Sequence, residues 1–145
     1  MGSLKSEIYT ILTKRKYNRG QSFLSEDLLI LINNFISKNE PIKLVGFWGT
    51  GPKDKPNWAD EESCKFLNSL NEEIKEIYTP GIEFTFIFAN SHGIHNGYKK
   101  EYIDLYTDGM IKIFNQYNFK YLFLDVLWNK YETESVPFKR KNWSG

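Results

Sequence analysis

Three short segments rich in apolar, β-branched and aromatic residues alternate with longer helical patterns in this sequence. The segments are 42–47, 82–89 and 119–127, and residues typical of turns bound them. Between them, apolar residues recur at intervals of three and four over 60–77 and 102–116, which predicts helices. Strands separated by such helices are joined by right-handed crossovers and lie parallel in one sheet. We therefore predict an α/β fold: a three-layer Rossmann-like domain with a mainly parallel sheet and helices on both faces.

Two more helices are predicted before the first strand. Apolar residues at helical spacing favour a helix over 6–16. A second helix begins after Ser25, a favourable N-cap, and ends before Pro41, because residues that precede proline avoid the helical region.

The length and composition indicate one domain. A chain of 145 residues with 41% hydrophobic content can bury one core, so we predict a single α/β domain over 1–145. Its parts are N-terminal helices in 6–38, an α/β core in 42–128 and a polar, basic C-terminal tail in 129–145.

Charge and hydropathy exclude several classes of partner. Nineteen Lys and Arg residues against eighteen Asp and Glu residues give a net charge of +1, without the basic excess typical of nucleic-acid-binding proteins. No apolar run reaches the ~18 residues of a membrane span, and the N-terminus lacks the apolar core of a signal peptide. The single cysteine, Cys64, fits a reducing compartment. We expect a cytoplasmic protein that binds neither nucleic acid nor membrane.

The loop after the first strand carries the residues best suited to bind an anion. Ligands of parallel α/β sheets bind at the carboxyl ends of the strands. Gly49 and Gly51 let the backbone approach a ligand, and Lys53 and Lys55 offer ammonium groups to a phosphate or carboxylate. The loop matches neither the Walker A motif nor the dinucleotide fingerprint. We predict that these four residues bind substrate; the alternative is an exposed linker with solvated lysines.

The loop after the second strand carries both histidines, His92 and His95. Because imidazole titrates near neutral pH, we predict that these histidines act as catalytic acids or bases, with Asn90 and Asn96 binding substrate. Asp125 lies near the end of the third predicted strand and is the third candidate catalytic residue. The alternatives are ordinary polar loop residues and, for Asp125, a helix N-cap or a buried structural carboxylate. We predict no metal site and no cofactor, because the sequence has no known ligand motif.

A series of motifs resembles one enzyme family over most of the chain. In order, they are Ile8-x-x-Ile11-Leu12, a helix running into Pro41-Ile42, Lys55-Pro56-Asn57, an acidic helix start at Asp60 and Ile77-Tyr78-Thr79-Pro80-Gly81. The Tyr-x-Pro-Gly piece of the last motif is the most specific. With this order of features, the stretch from about Ile8 to Tyr117 resembles the isocyanide synthases, also called the pyoverdine/dityrosine biosynthesis family.

The resemblance implies a reaction and a set of contacts. Members of the family are Rossmann-type enzymes that convert the amino group of an amino acid, typically tyrosine or tryptophan, into an isocyanide with ribulose 5-phosphate. By this likeness Lys53, Lys55 and Asn57 would meet the sugar phosphate, and the loop from Asn90 would correspond to the family's Ser-Asp-Gly segment. Asn90-Ser91-His92 lacks the acidic residue usual there. The chain is also about half the family's usual length, and the C-terminal half should contribute part of the substrate pocket.

Three functions follow from these observations. The first is a small biosynthetic enzyme similar to an isocyanide synthase, acting on an amino acid and/or a phosphorylated sugar. The second is a non-catalytic protein-binding or assembly module that uses its aromatic surface and basic tail, as a homo-oligomer or with a partner protein. The third is a hydrolase with His92, His95 and Asp125 around a metal ion.

Overall fold

The computed structural model describes residues 2–14 and 26–134. In chain order the elements are α1 (Leu4–Leu12), α2 (Glu26–Ser37), β1 (Ile42–Trp48), α3 (Trp58–Lys75), β2 (Ile82–Phe88), α4 (Asn90–His95), α5 (Lys100–Gln116), β3 (Lys120–Phe123) and α6 (Leu124–Glu134). The predicted N-cap Ser25, the end of the first predicted helix at 15–16 and residues 135–145 of the predicted tail lie outside the described residues.

The three strands form one parallel sheet in the order β1-β2-β3. The register pairs Ile42 with Ile82 on one side of β2 and Phe88 with Phe123 on the other. Helices flank the sheet, so the predicted α/β domain with a parallel, Rossmann-like sheet is confirmed. None of the described helices is both long and apolar enough to cross a membrane.

The core lies between the sheet and the helices α3 and α5. Alternate side chains of β2 are buried, as expected for the central strand of a sheet with one packed face. Their aromatic rings pack on rings from α5: the ring centroid of Phe114 lies 5.2 Å from that of Phe86 and 5.4 Å from that of Phe88. Edge-to-face and offset contacts at such distances are favourable for aromatic rings. This aromatic layer fixes α5 against the sheet.

The helices are distributed unevenly about the sheet, although the prediction placed helices on both faces. Because α3 and α5 contact each other as well as the strands, they cover the same face. On the other face, 67% of the surface of Val45, 70% of that of Phe47 and 43% of that of Leu122 is exposed. We call this second face the open face; it consists of Lys43, Val45, Phe47, Glu83, Thr85, Ile87, Lys120 and Leu122.

Three predicted segments differ from the structure. The third strand ends at Phe123 rather than 127, and the chain continues directly into α6. The beginning of the predicted tail at 129 is therefore helical up to Glu134. The predicted loop over 90–97 contains the short helix α4, which packs against α5 and α6. The pattern of apolar and polar residues does not distinguish helix from strand or loop in these segments, because tertiary contacts decide between them.

Candidate functional site

A chain of hydrogen bonds begins at Trp48, the last residue of β1. The Trp48 indole Nε1 donates to the Tyr106 hydroxyl at 2.9 Å, and that hydroxyl donates to Asp60 Oδ1 at 2.8 Å. Lys53 Nζ donates to Asp60 Oδ2 at 2.8 Å. We call Trp48, Lys53, Asp60 and Tyr106 the polar network. It lies at the carboxyl end of a parallel strand, which is where ligands of such sheets bind.

The start of α3 positions the Asp60 carboxylate. Asn57 is the N-cap, and its side-chain oxygen accepts hydrogen bonds from the backbone N–H groups of Ala59 and Asp60. In return, Asp60 Oδ2 accepts a hydrogen bond from the Asn57 backbone N–H at 2.9 Å, which completes a capping box. The carboxylate also lies at the positive end of the helix dipole. The hydrogen bonds of the capping box therefore hold the Asp60 carboxylate in position without a ligand.

The network fixes the protonation states of its members. Burial alone raises the pKa of Asp60, but hydrogen bonds from Lys53, the Asn57 backbone and Tyr106 outweigh burial, so the pKa lies below its usual value. Burial and the adjacent Asp60 carboxylate raise the pKa of Tyr106, although the hydrogen bond from Trp48 acts in the opposite direction. At neutral pH the network therefore holds an anionic carboxylate and a neutral phenol.

Lys53 gives the network its contact with solvent. Its ammonium nitrogen lies 5.1 Å from the centroid of the Tyr106 ring, within range of a cation–π interaction. Its side chain is 39% exposed, whereas the side chain of Asp60 is only 10% exposed. The ammonium group is thus held by the carboxylate on one side and reaches the surface on the other. The predicted binding residue Lys53 is therefore also a structural partner of Asp60.

Contacts between Thr50 and α4 connect the ends of β1 and β2. The Thr50 hydroxyl donates to the backbone oxygen of Ala89 at 3.2 Å. Gly93 packs so closely that a Cβ atom would lie 2.9 Å from Thr50 Oγ1 and 2.8 Å from Ile103 Cδ1. Glycine at this position lets α4 approach both the first loop and α5. These contacts hold the ends of the two strands next to each other.

Two buried polar atoms in this part of the fold lack hydrogen-bond partners among the described residues. They are Asn90 Oδ1, at the first residue of α4, and Thr107 Oγ1, beside Tyr106 on α5. Buried acceptors normally find a partner, so each such atom needs an explanation. Asn90 is among the predicted substrate-binding residues, and its oxygen has unused acceptor capacity.

The remaining predicted residues lie on the surface near these elements. His92 and His95 are exposed on α4, and Asn96 is exposed at its C-cap. Lys55 is exposed in the first loop. Asp125 lies in the first turn of α6 rather than in a strand, where its side chain accepts a hydrogen bond from the Val126 backbone N–H at 2.8 Å.

No metal-binding group is formed by the predicted catalytic residues. Within 2–14 and 26–134, no three His, Cys, Asp or Glu side chains lie close enough to hold a metal ion. The hydrolase hypothesis, which needs His92, His95 and Asp125 around a metal, therefore receives no support from the described part of the chain.

Sequence reasoning missed the two residues at the centre of the network. In the sequence, Asp60 stands out only as an acidic helix start, and Tyr106 is one residue of the predicted helix over 102–116. The Asn57-x-x-Asp60 spacing is a capping-box signal that points to a fixed carboxylate. The contact with Tyr106 joins residues that are 46 positions apart, so no local pattern carries it.

Two cavities lie away from the network. One, of about 420 Å³, is lined by amide side chains such as Asn71 and Gln116 and lies beside Ile82, at the amino end of β2. The other, a groove of about 580 Å³, follows α3 between Trp58 and Phe66. Neither is lined by a residue of the polar network. We retain the carboxyl ends of the strands as the candidate site because parallel sheets bind ligands there.

Comparison with known proteins gives a structural relationship. No family model matches the chain, and no curated protein matches it. Among solved structures, the chain is similar to the PvcA protein from Pseudomonas aeruginosa, with a TM-score of 0.70 and 22% sequence identity. The match covers 92% of this chain and 51% of the PvcA chain, so the chain spans about half the length of that neighbour. At this level of identity the similarity shows a shared fold.

Proposed function

We propose that this chain is a small biosynthetic α/β enzyme that binds an anionic substrate at the carboxyl ends of β1 and β2. The substrate is an amino acid, a phosphorylated sugar or both. The observation that carries the proposal is the Lys53 ammonium group, held at the end of β1 by the Asp60 carboxylate 2.8 Å away. The fold shared with PvcA and the family motifs of the sequence support the biosynthetic class.

Lys53 and Lys55 supply the positive charge for the anion. Lys53 is oriented by Asp60, so part of the entropic cost of ordering its long side chain is met by the fold. Lys55 is exposed two residues further along the same loop and can turn towards a bound phosphate. Gly49 and Gly51 leave the backbone of the loop accessible, and the Asn57 amide nitrogen remains a donor after its oxygen has capped α3.

The end of β2 supplies the groups for the other part of the substrate. Asn90 Oδ1, which has no partner among the described residues, can accept a hydrogen bond from a substrate ammonium or hydroxyl group. His92 or His95 would move protons at the exposed rim of the site, with Asn96 beside them.

A finer proposal follows the sequence resemblance. If the chemistry is that of the isocyanide synthases, the sugar phosphate is ribulose 5-phosphate and the amino acid is tyrosine or tryptophan. The anion-binding role of the lysines is common to this reaction and to other reactions of phosphorylated sugars, so the two levels of the proposal can be tested separately.

Calorimetric titration tests the anion site. Ribulose 5-phosphate, inorganic phosphate, tyrosine and tryptophan are titrated into the wild-type chain and into Lys55→Ala. The matched control is Lys38→Ala, at an exposed residue just after α2. Loss of one charged contact of about 1.5 kcal/mol or more lowers affinity at least about tenfold. We expect that loss for Lys55→Ala and none for Lys38→Ala. No binding of either phosphate, or equal binding by all three proteins, would contradict the proposal.

A further inference from the structure

The backbone of β1 has one paired edge and one free edge. The Ile42 N–H donates to the Gly81 oxygen at 2.9 Å, and the Trp48 oxygen accepts from the Ala89 N–H at 3.0 Å, so these two residues of β1 face β2. Backbone groups alternate in direction along a strand. The N–H and C=O groups of Lys43, Val45 and Phe47 therefore point to the other edge, and in the described part of the chain β1 pairs with β2 alone.

The side chains of the same three residues lie on the open face. Val45 and Phe47 form its apolar end with Ile87 and Leu122, and the most exposed of these side chains are on β1. The opposite end is charged: Lys43 is exposed there, and Lys120 forms an ion pair with Glu83 at 3.0 Å. Parallel sheets occur almost only with both faces covered. An apolar patch beside charged residues on such a sheet has the composition of an interface.

The topology indicates what would cover this face. Three parallel strands in chain order, with α3 and α5 on one side, form a βαβαβ half of a doubly wound sheet. In the complete sheet the next strand pairs with the first, and the helices that follow cover the opposite face. The match to PvcA leaves about half of the PvcA chain outside it.

We propose that the free edge of β1 and the open face together bind a second α/β polypeptide. One of its strands pairs with Lys43, Val45 and Phe47, and one of its helices packs on Val45 and Phe47. Strand β1 is about 23 Å long at ~3.3 Å per residue, which a partner helix of roughly 15 residues covers. That helix needs an apolar stripe over Val45 and Phe47 and a carboxylate opposite Lys43.

A second copy of the chain fits this surface less well. Two copies that join edge to edge would pair β1 with β1 antiparallel, which keeps both open faces on one side and leaves Val45 and Phe47 exposed. Two copies that join face to face would cover Val45 and Phe47 but leave the edge groups of Lys43, Val45 and Phe47 unpaired in both copies. An occupant that supplies both a strand and a helix pairs the free edge and covers the open face at once.

The proposed partner would also border the polar network. Its strand would end beside Trp48, and in doubly wound sheets the ligand crevice lies at the point where the strand order reverses. The partner would thus form the second wall of the candidate site. The docking surface itself does not depend on which ligand binds there.

Site-specific photocrosslinking in the source cells tests the docking surface. The full chain carries p-benzoylphenylalanine in place of Phe47 or, as the control, in place of Ile30 on α2, which is also exposed. We expect an adduct from position 47 alone. Mass spectrometry should place the crosslink in a different polypeptide, at a residue that lies on a helix of an α/β fold in the structure of that polypeptide. A crosslink to a second copy, a crosslink within the chain or no adduct would overturn the proposal.

A second variant separates the surface from misfolding and from the proposed function. With the photoreactive residue in place of Val45, the additional change Phe47→Glu should abolish the adduct, because it puts a charge under the partner helix. The purified Phe47→Glu chain should keep its thermal midpoint within about 2 °C of wild type, since an exposed side chain loses few contacts on substitution. A persistent adduct would contradict the docking surface. If the adduct is lost while phosphate binding is unchanged, the docking surface is supported independently of the proposed function.

Discussion

The hydroxyl group of Tyr106 links two parts of the fold, so its removal is the most direct test of the polar network. Tyr106→Phe keeps the buried ring, of which only 1% is exposed, and deletes one oxygen. Asp60 Oδ1 then loses a donor at 2.8 Å and the Trp48 indole N–H loses its acceptor at 2.9 Å. The packing of the ring in the core is unchanged, so the effect reports the hydrogen bonds.

The magnitude follows from these two losses. A hydrogen bond to a charged group contributes about 1.5–3 kcal/mol, and an indole N–H left without a partner in a partly buried site costs about 1 kcal/mol. We expect the free energy of unfolding of Tyr106→Phe to fall by about 3 kcal/mol. For a domain of this size that corresponds to a thermal midpoint lower by roughly 6–12 °C.

Urea unfolding followed by circular dichroism, with calorimetry for the midpoint, measures the change. Tyr102→Phe is the matched control, because Tyr102 lies one turn earlier on α5 and is exposed. That control should change the free energy of unfolding by less than about 0.5 kcal/mol. If Tyr106→Phe and Tyr102→Phe have the same stability, the hydrogen-bond chain does not exist in solution and the candidate site lacks its support.

Three further predictions concern single residues. Gly93→Ala should lower the free energy of unfolding by about 1–3 kcal/mol in urea titrations, because the new methyl would lie 2.8 Å from Ile103 Cδ1; Gly49→Ala, with open space around it, is the control. Cys64 is fully buried and its pKa is raised to about 12. A thiol reagent at pH 8 should therefore modify it only as fast as the chain unfolds, and rapid labelling of the folded protein would contradict the core packing. The pKa of Asp60 is lower in the folded state, so its stabilising contribution is present above the unfolded pKa and is lost as pH falls through the folded value. In Asp60→Asn the free energy of unfolding should therefore fall less steeply with decreasing pH than in the wild-type chain. An unchanged pH dependence would refute this.

The sequence was most informative for the first two strands. Both β1 and β2 begin at the predicted residue, Ile42 and Ile82, and end within one residue of the prediction. They follow turn residues, and their apolar positions agree with the packed face of the sheet. Local pattern and tertiary packing point the same way here, which is why a pattern alone suffices.

The third strand shows where a pattern fails. Residues 119–127 are nearly all apolar, and such a run is compatible with a buried strand or a buried helix. The structure divides it after Phe123, because β3 pairs with β2 for only four residues before the helical turn begins. Asp125 in that first turn stabilises the helix start. The length of the strand depends on its partner, which is not visible in the segment itself.

The site was predictable in location but not in detail. Topology alone directs attention to the loop of Lys53 and to the segment of Asn90, at the ends of neighbouring strands. The partners of Lys53 could not be deduced, because Tyr106 reaches Asp60 from a helix that lies elsewhere in the sequence. Long-range hydrogen bonds of this kind follow from packing, and sequence periodicity does not encode them.

Trp48 lies between a tightly packed part of the molecule and the surface loop that carries Lys53. Its ring meets Phe86 and Phe114 nearly edge-on, at 5.3 Å and 5.1 Å between centroids, while its N–H holds Tyr106. A displacement of the Tyr106 hydroxyl therefore has to deform a close-packed aromatic layer, whereas a displacement of Lys53 breaks its ion pair with Asp60 and moves a surface loop. Ligand binding should accordingly be accommodated on the lysine side, with the phenol and the carboxylate as a stiff reference frame. In a chain whose Trp58, Trp128 and Trp143 are replaced by Phe, the indole fluorescence of Trp48 reports whether that frame stays in place.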